Sequence, residues 1–316
     1  MGIYLLFIEK EKRWLHSEIS NLFCLRFNSV CFFMARTGYS KVQMSPWPIV
    51  ISASVFGVAT GLIWYLTDDT SFSMYLYLGV VSFFLGMALT GWWGDIIEES
   101  TFLGNHTSHV VLNLRWGFYL FILSEAWFFF SLFWAFFTAS VGEISMQGVG
   151  AQWPPAGMEG MYPWGVPFLN TVVLVSSGLW ATTAHKAVKV HSSISLDTLD
   201  GARLSAKWWK LGLLCLGVTI VLGVYFTYLQ IHEYYSSSFS MSDGAYGSVF
   251  FVLTGFHGLH VIIGSVYLTV CWVRLLKKHF TYKHHHFGLD SCMWYWHFVD
   301  AVWIVVFLSV YVWGNQ

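Results

Sequence analysis

"SEAWFFFSLFWAFF", residues 124–137, sets one carboxylate, Glu125, in a run of aromatic and aliphatic side chains. What that carboxylate costs depends on the solvent around the run. Across the 316 residues, 56% are hydrophobic and only 10% are charged, against roughly 25% charged in a soluble domain. Apolar windows of about twenty residues recur, the length a helix needs to cross a bilayer. The sequence therefore predicts an all-α, polytopic membrane protein. Its net charge of −1 and its lack of a basic, aromatic-laced patch give no support to nucleic-acid binding.

Seven spans are predicted, at 46–66, 72–96, 110–142, 167–188, 208–231, 245–275 and 291–313. The joins carry turn-forming residues: "TDDTS" at 67–71, "QWPPAG" at 152–157 and "SSSFSMSDG" at 236–244. The third window exceeds thirty residues, so its helix must tilt or project beyond the lipid. All sixteen lysines and arginines fall before the first span or near the second, fourth and sixth connections. Those places share one side of a seven-span topology, and a single mistaken span would scramble the pattern. The asymmetry puts the N-terminus inside and "WGNQ" outside. Residues 45–316 form the seven-helix domain. Residues 1–44 read as an inside-facing extension or a targeting segment. Glu9, Glu11 and Glu18 favour the extension, since transit peptides are acid-poor, and Met34 and Met44 are alternative starts.

The five cysteines (Cys24, Cys31, Cys215, Cys271, Cys292) form no C-x-x-C pair and read as small hydrophobes. The thirteen histidines raise a metal hypothesis. His106-x-x-His109, His185 with His191, and His284-His285-His286 all fall on the inside face, as the histidine boxes of a membrane di-iron oxygenase would. Carboxylate partners are sparse, however, and the repeated H-x-x-H-H form is missing, so interfacial contacts are the simpler reading. His257 and His260 share one face of the sixth span, and His297 and Asp300 are similarly spaced in the seventh. Intramembrane ionisable groups face the bundle interior and find partners, so these four are expected to make inter-helix polar contacts. No catalytic residue, haem-binding pair or thiolate copper motif is expected. A transporter would need broken helices or a water-lined path, and "PWGVP" (163–167) is the single hint of one.

Glu125 lies near the middle of its span. Hydrocarbon favours the neutral acid unless water or a cation reaches it. Arg115 is ten residues earlier, about 15 Å along the axis, too far for direct pairing. Either a hydrogen bond to a neighbouring helix or a proton-linked role fits the residue.

These features together resemble subunit III of cytochrome c oxidase. The resemblance rests on "SPWP" (45–48), "WWGDIIEESTFLGNHT" (92–107), "LRWGFYLFILSEAWFF" (114–129), "LFWAFF" (132–137), "WPP" (153–155), "VPFLNT" (166–171), "LGVYFTYLQIHEYY" (222–235), "DGAYGSVFFVLTGFHGLHVIIGS" (243–265) and "HHFGLDSCMWYWHFVDAVW" (285–303). It implies a subunit without redox centres. Two N-terminal helices would be splayed from a five-helix bundle, with a V-shaped cleft that holds phospholipid such as cardiolipin, phosphatidylethanolamine or phosphatidylglycerol. It implies packing on the catalytic subunit I, which with its partners carries the haem and copper. The implied place is the mitochondrial inner membrane with the N-terminus in the matrix, in preference to a bacterial plasma membrane. By position, Glu125 matches the family's cleft-facing carboxylate, and Trp93, Glu99, His106, Arg274, His285 and His286 match residues near lipid headgroups. Gly94 and Glu98 stand where the family commonly has basic residues. The 186–207 connection is longer than in animal relatives, and residues 1–44 have no counterpart.

Overall fold

The computed structural model describes residues 38–39, 44–67, 71–141, 153–155, 157–195, 197–280 and 286–315. It contains α1 (Trp47–Leu66), α2 (Phe72–Thr101), α3 (Ser108–Val141), α4 (Val166–Ser193), α5 (Leu199–Ser236), α6 (Ala245–Leu276) and α7 (Phe287–Val306). The chain then tightens through a π turn, Phe307–Val312, into a 3-10 turn, Trp313–Asn315. All seven helices are long and apolar enough to cross a membrane, the last span running from Phe287 to Val312. No strand occurs among the described residues. The all-α, seven-span expectation therefore holds.

Where α2, α4 and α5 run past their windows, most of the extra residues are polar. α5 starts at Leu199, not 208, because Thr198 caps it by accepting from the Gly201 amide at 3.1 Å. Its first turns carry Asp200, Arg203 and Lys207, which hydropathy does not register as membrane. At 34 residues α3 is about 51 Å long, well beyond a hydrocarbon core of about 30 Å. Proline opens α1 and α4, where the missing amide hydrogen costs nothing.

The chain divides into two compact units, residues 1–113 and 114–316. In the first, α1 and α2 are antiparallel, since Trp47 Nε1 donates to Asp95 at 2.5 Å and Thr60 meets the Tyr77 hydroxyl at 3.0 Å. Gly57 and Gly61 let the two backbones close. A Cβ on Gly57 would fall 2.8 Å from Val81, and one on Gly61 would overlap Leu78. Small residues at a contact are how membrane helices gain dispersion energy where lipid removes the hydrophobic drive.

In the second unit α7 is the centre: 61% of its apolar window is buried, against 11% for α3. Trp296 and Trp303 are its fully buried anchors. The Trp296 ring fits between Gly223 of α5 and Gly264 of α6, where a Cβ would fall 2.7 Å and 2.9 Å from it. Both indoles are satisfied, Trp296 donating to Ser177 and Trp303 to Thr171, each at 3.0 Å. From Leu114 onward, α3 meets α6 and α7 through rings: Phe121 on Tyr295, Phe128 on Phe256, and Phe129 on Phe298. Its opposite face bears Trp116, Leu120, Leu123, Trp127, Phe130 and Trp134, all exposed. Such a stripe fits lipid or a membrane-embedded partner, not water.

Candidate functional site: a carboxyl–imidazole pair inside the bundle

Glu125 is not on that exposed stripe. Its Oε2 lies 2.9 Å from His260 Nε2 of α6, and the side chains are 22% and 10% exposed. The other ring nitrogen fixes the chemistry of the pair. His260 Nδ1 is 2.7 Å from the Phe256 carbonyl oxygen, which can only accept, so Nδ1 carries a hydrogen. Two states then give Nε2 and Oε2 a bond. Either a protonated Glu125 donates to the bare nitrogen, or an imidazolium donates to the carboxylate. An ionised Glu125 facing a neutral His260 would set lone pair against lone pair. The pair therefore holds one proton between its two atoms in either state. Aromatic groups enclose it: Phe129 edge-on to the imidazole at 4.9 Å, with Phe128 and Tyr295 stacked at 6.3 Å.

Asp290, at the start of α7, gathers three basic groups. His185 Nε2 donates to Oδ1 at 2.6 Å, Lys189 Nζ approaches Oδ1 at 3.2 Å, and Arg115 approaches Oδ2 at 3.7 Å. Asp290 is buried while Lys189 and Arg115 are half exposed. One carboxylate thus ties together α3, α4 and α7 at the end of the bundle that bears the basic residues. Sequence reasoning did not single out Asp290. The available signal was His185 and Lys189, four apart on one face of α4 and awaiting an acid.

The remaining polar residues of the span centres are placed as follows. His257 is fully buried, and its Nε2 donates to the Val299 carbonyl of α7 at 3.2 Å. Thr182 donates to the Gly178 carbonyl, so its oxygen accepts from His297 Nε2 at 3.2 Å. His297 Nδ1 faces Asp300 Oδ2 at 3.5 Å within α7, and that carboxyl rests directly on Gly178 of α4. Asp300 thus meets its neighbouring helix by packing, and His297 meets it by a hydrogen bond.

Of the headgroup candidates, Trp93 is exposed on α2, Glu99 is half-buried near the end of that helix, and His106 lies in the turn after it. In the second unit, the Arg274 guanidinium lies over the Phe280 ring at 4.7 Å, and the buried His286 meets Ser192 through Nε2 at 2.8 Å. His284 and His285 lie outside the described residues, as do Cys24, Cys31 and most of residues 1–44. Cys215, Cys271 and Cys292 are free and buried. The histidines of the di-iron alternative are dispersed over different partners. His109 stacks near Tyr39, His185 binds Asp290, His191 binds Ser205, and His286 binds Ser192. Among the described residues no three His, Cys, Asp or Glu side chains converge as a metal site.

Fold and site together define a seven-span helical membrane subunit with an intramembrane carboxyl paired to an imidazole. Residues 37–315 match the family described as cytochrome c oxidase subunit III. The chain is 46% identical over 278 residues to cytochrome c oxidase subunit 3 of Struthio camelus, covering 88% of this chain and 97% of that one. It is 42% identical to the subunits of the same name from Lumbricus terrestris and Prototheca wickerhamii, covering 89% of this chain and all of theirs. The chain belongs to the cytochrome c oxidase subunit III family.

Proposed function

We propose that this subunit of cytochrome c oxidase, respiratory complex IV, supports the catalytic subunit I without taking part in electron transfer. It stabilises that subunit in the mitochondrial inner membrane, with its N-terminus on the matrix side, and holds phospholipid at the protein–bilayer boundary. Trp93, Glu99 and His106 in the first unit, and Arg274, His285 and His286 in the second, act as headgroup contacts. Haem and copper belong to partner subunits. Glu125 and His260 hold a proton inside the bundle and support proton uptake or oxygen access during electron transfer from cytochrome c to oxygen.

The observation that supports the proton-linked role is the 2.7 Å contact of His260 Nδ1 with the Phe256 carbonyl, which leaves Nε2 to share a proton with Glu125. The test is Glu125→Gln beside Glu125→Lys in the purified oxidase. Gln can donate to the bare His260 nitrogen, so the subunit is expected to stay bound while proton uptake changes. Lys adds an unpaired charge at a cost of at least about 2.5–3.5 kcal/mol on insertion scales, and subunit retention is expected to fall. Unchanged proton uptake in an intact Gln variant would leave the pair structural only. Equal loss of the subunit in both variants would reject a neutral pair, because breaking a buried ion pair costs about 3–5 kcal/mol.

A further inference from the structure

A second carboxyl, Glu233 on α5, is more deeply buried than Glu125, at 2% exposure. It sits among polar side chains brought together from α4, α5 and the π turn. Asn170 Nδ2 donates to Gln230 Oε1 at 3.3 Å, and Gln230 Nε2 donates to the Tyr311 hydroxyl oxygen at 3.4 Å. Tyr311 then has its own hydrogen left to turn towards the Glu233 carboxyl beside it. Both amide bonds are made without Glu233. Asn170 Oδ1 and both oxygens of Glu233 are buried and meet no donor at hydrogen-bonding geometry. The cluster has a surplus of acceptors in a buried site, and a buried polar group left so costs about 1–3 kcal/mol.

Among the described residues no cation pairs with Glu233. There is no lysine or arginine between Leu211 and Val273, or from His286 to the C-terminus, and His232, next in sequence, points outward. The titratable groups around Glu233 are Tyr311 from the π turn and Tyr234 from α5, which donates to Thr254 of α6 at 2.8 Å. α4 contributes Asn170. Phe250 of α6 packs on Tyr311 at 5.5 Å, and Phe239 covers Phe250 at 5.2 Å. Phe239 in turn lines a pocket of about 380 Å³ together with Glu159, Ser238 and Asp243. The rings of Tyr311, Phe250 and Phe239 thus run in series from the Glu233 cluster to an acid-rimmed opening.

We propose that Glu233 is a second proton-binding site of this subunit, a neutral carboxylic acid closed off by the Phe239–Phe250 layer and exchanging its proton through that pocket. A proton is the smallest guest that corrects the imbalance. It converts one orphan acceptor into a donor and leaves the carbonyl oxygen to accept from Tyr311. A carboxylate holding a sodium-class ion from the same mouth is the competing occupant.

Infrared difference spectroscopy on the purified complex tests this, comparing the unaltered protein with Glu233→Gln. The expected difference is one carboxylic-acid carbonyl band at neutral pH, shifted in D2O, absent from Glu233→Gln and retained in Glu125→Gln. Tyr311→Phe should move that band without abolishing it, because the donor to its carbonyl oxygen is gone. If Glu233→Gln fails to assemble, the D2O shift and the Tyr311→Phe displacement decide instead. Spectra that lack the band, or a band that disappears when sodium is added at constant pH, would overturn the proposal.

Discussion

At the residue scale, Glu125 shows how far sequence reaches. Its place in mid-span was legible from the apolar run around it, as was the face shared by His257 and His260. Which of the two histidines meets it was not, because that depends on how α3 is spaced from α6 by intervening rings. The pairing gives a direct expectation for His260→Phe. The ring keeps its packing against Phe129 but offers no nitrogen, leaving the Glu125 acid without an acceptor. Destabilisation of about 1–3 kcal/mol is expected, read as earlier loss of the subunit on detergent heating. An unchanged profile would mean that the pair contributes nothing. Asp290 is a different case, since Arg115, His185 and Lys189 all meet it. Lys189→Met should cost less than about 1 kcal/mol, because the ammonium is half exposed and Arg115 and His185 remain on the carboxylate. Asp290→Ala should be clearly worse, since it leaves all three without a partner. Equal effects would mean that the cluster does not tie the helices together.

At the element scale, composition and turn residues located all seven helices. The main difference was at the ends, where α2, α4 and α5 continue past the apolar windows into polar turns. A hydropathy window sees the lipid-facing part of a helix and stops where the helix itself does not. The central position of α7 was also not legible, because every span is strongly apolar and burial depends on neighbours. Glycines carry that information once the structure is known. Gly264→Ala should overpack Trp296 and cost about 1–3 kcal/mol. Gly258→Ala, where a Cβ meets nothing within 4 Å, should be neutral or slightly stabilising, since glycine in a helix is worth about 0.5–1 kcal/mol less than alanine. The measurement is thermal retention of the subunit in the two variants. The same loss in both would contradict the close approach of α6 and α7. Glu233 was missed for a related reason. Its site depends on the π turn, which brings Tyr311 into the core, and such a turn leaves no clear mark in a stretch reading "FLSVYV".

For the whole molecule, the one-sided distribution of lysine and arginine predicts which loops share a compartment. Lys207 and Lys277, both exposed, should react with a membrane-impermeant amine reagent from the same face of sealed vesicles. Labelling from opposite faces would overturn the seven-span topology. The central claim is that this chain works as a non-catalytic subunit of an oxidase. It is tested most directly by purifying the membrane complex through a tag on this chain. Haem spectra, copper and cytochrome c oxidation are expected in the captured complex, with no Soret band on the chain once it is separated from its partners. Capture of the chain without haem-bearing partners, or iron stoichiometric with the separated chain, would contradict it.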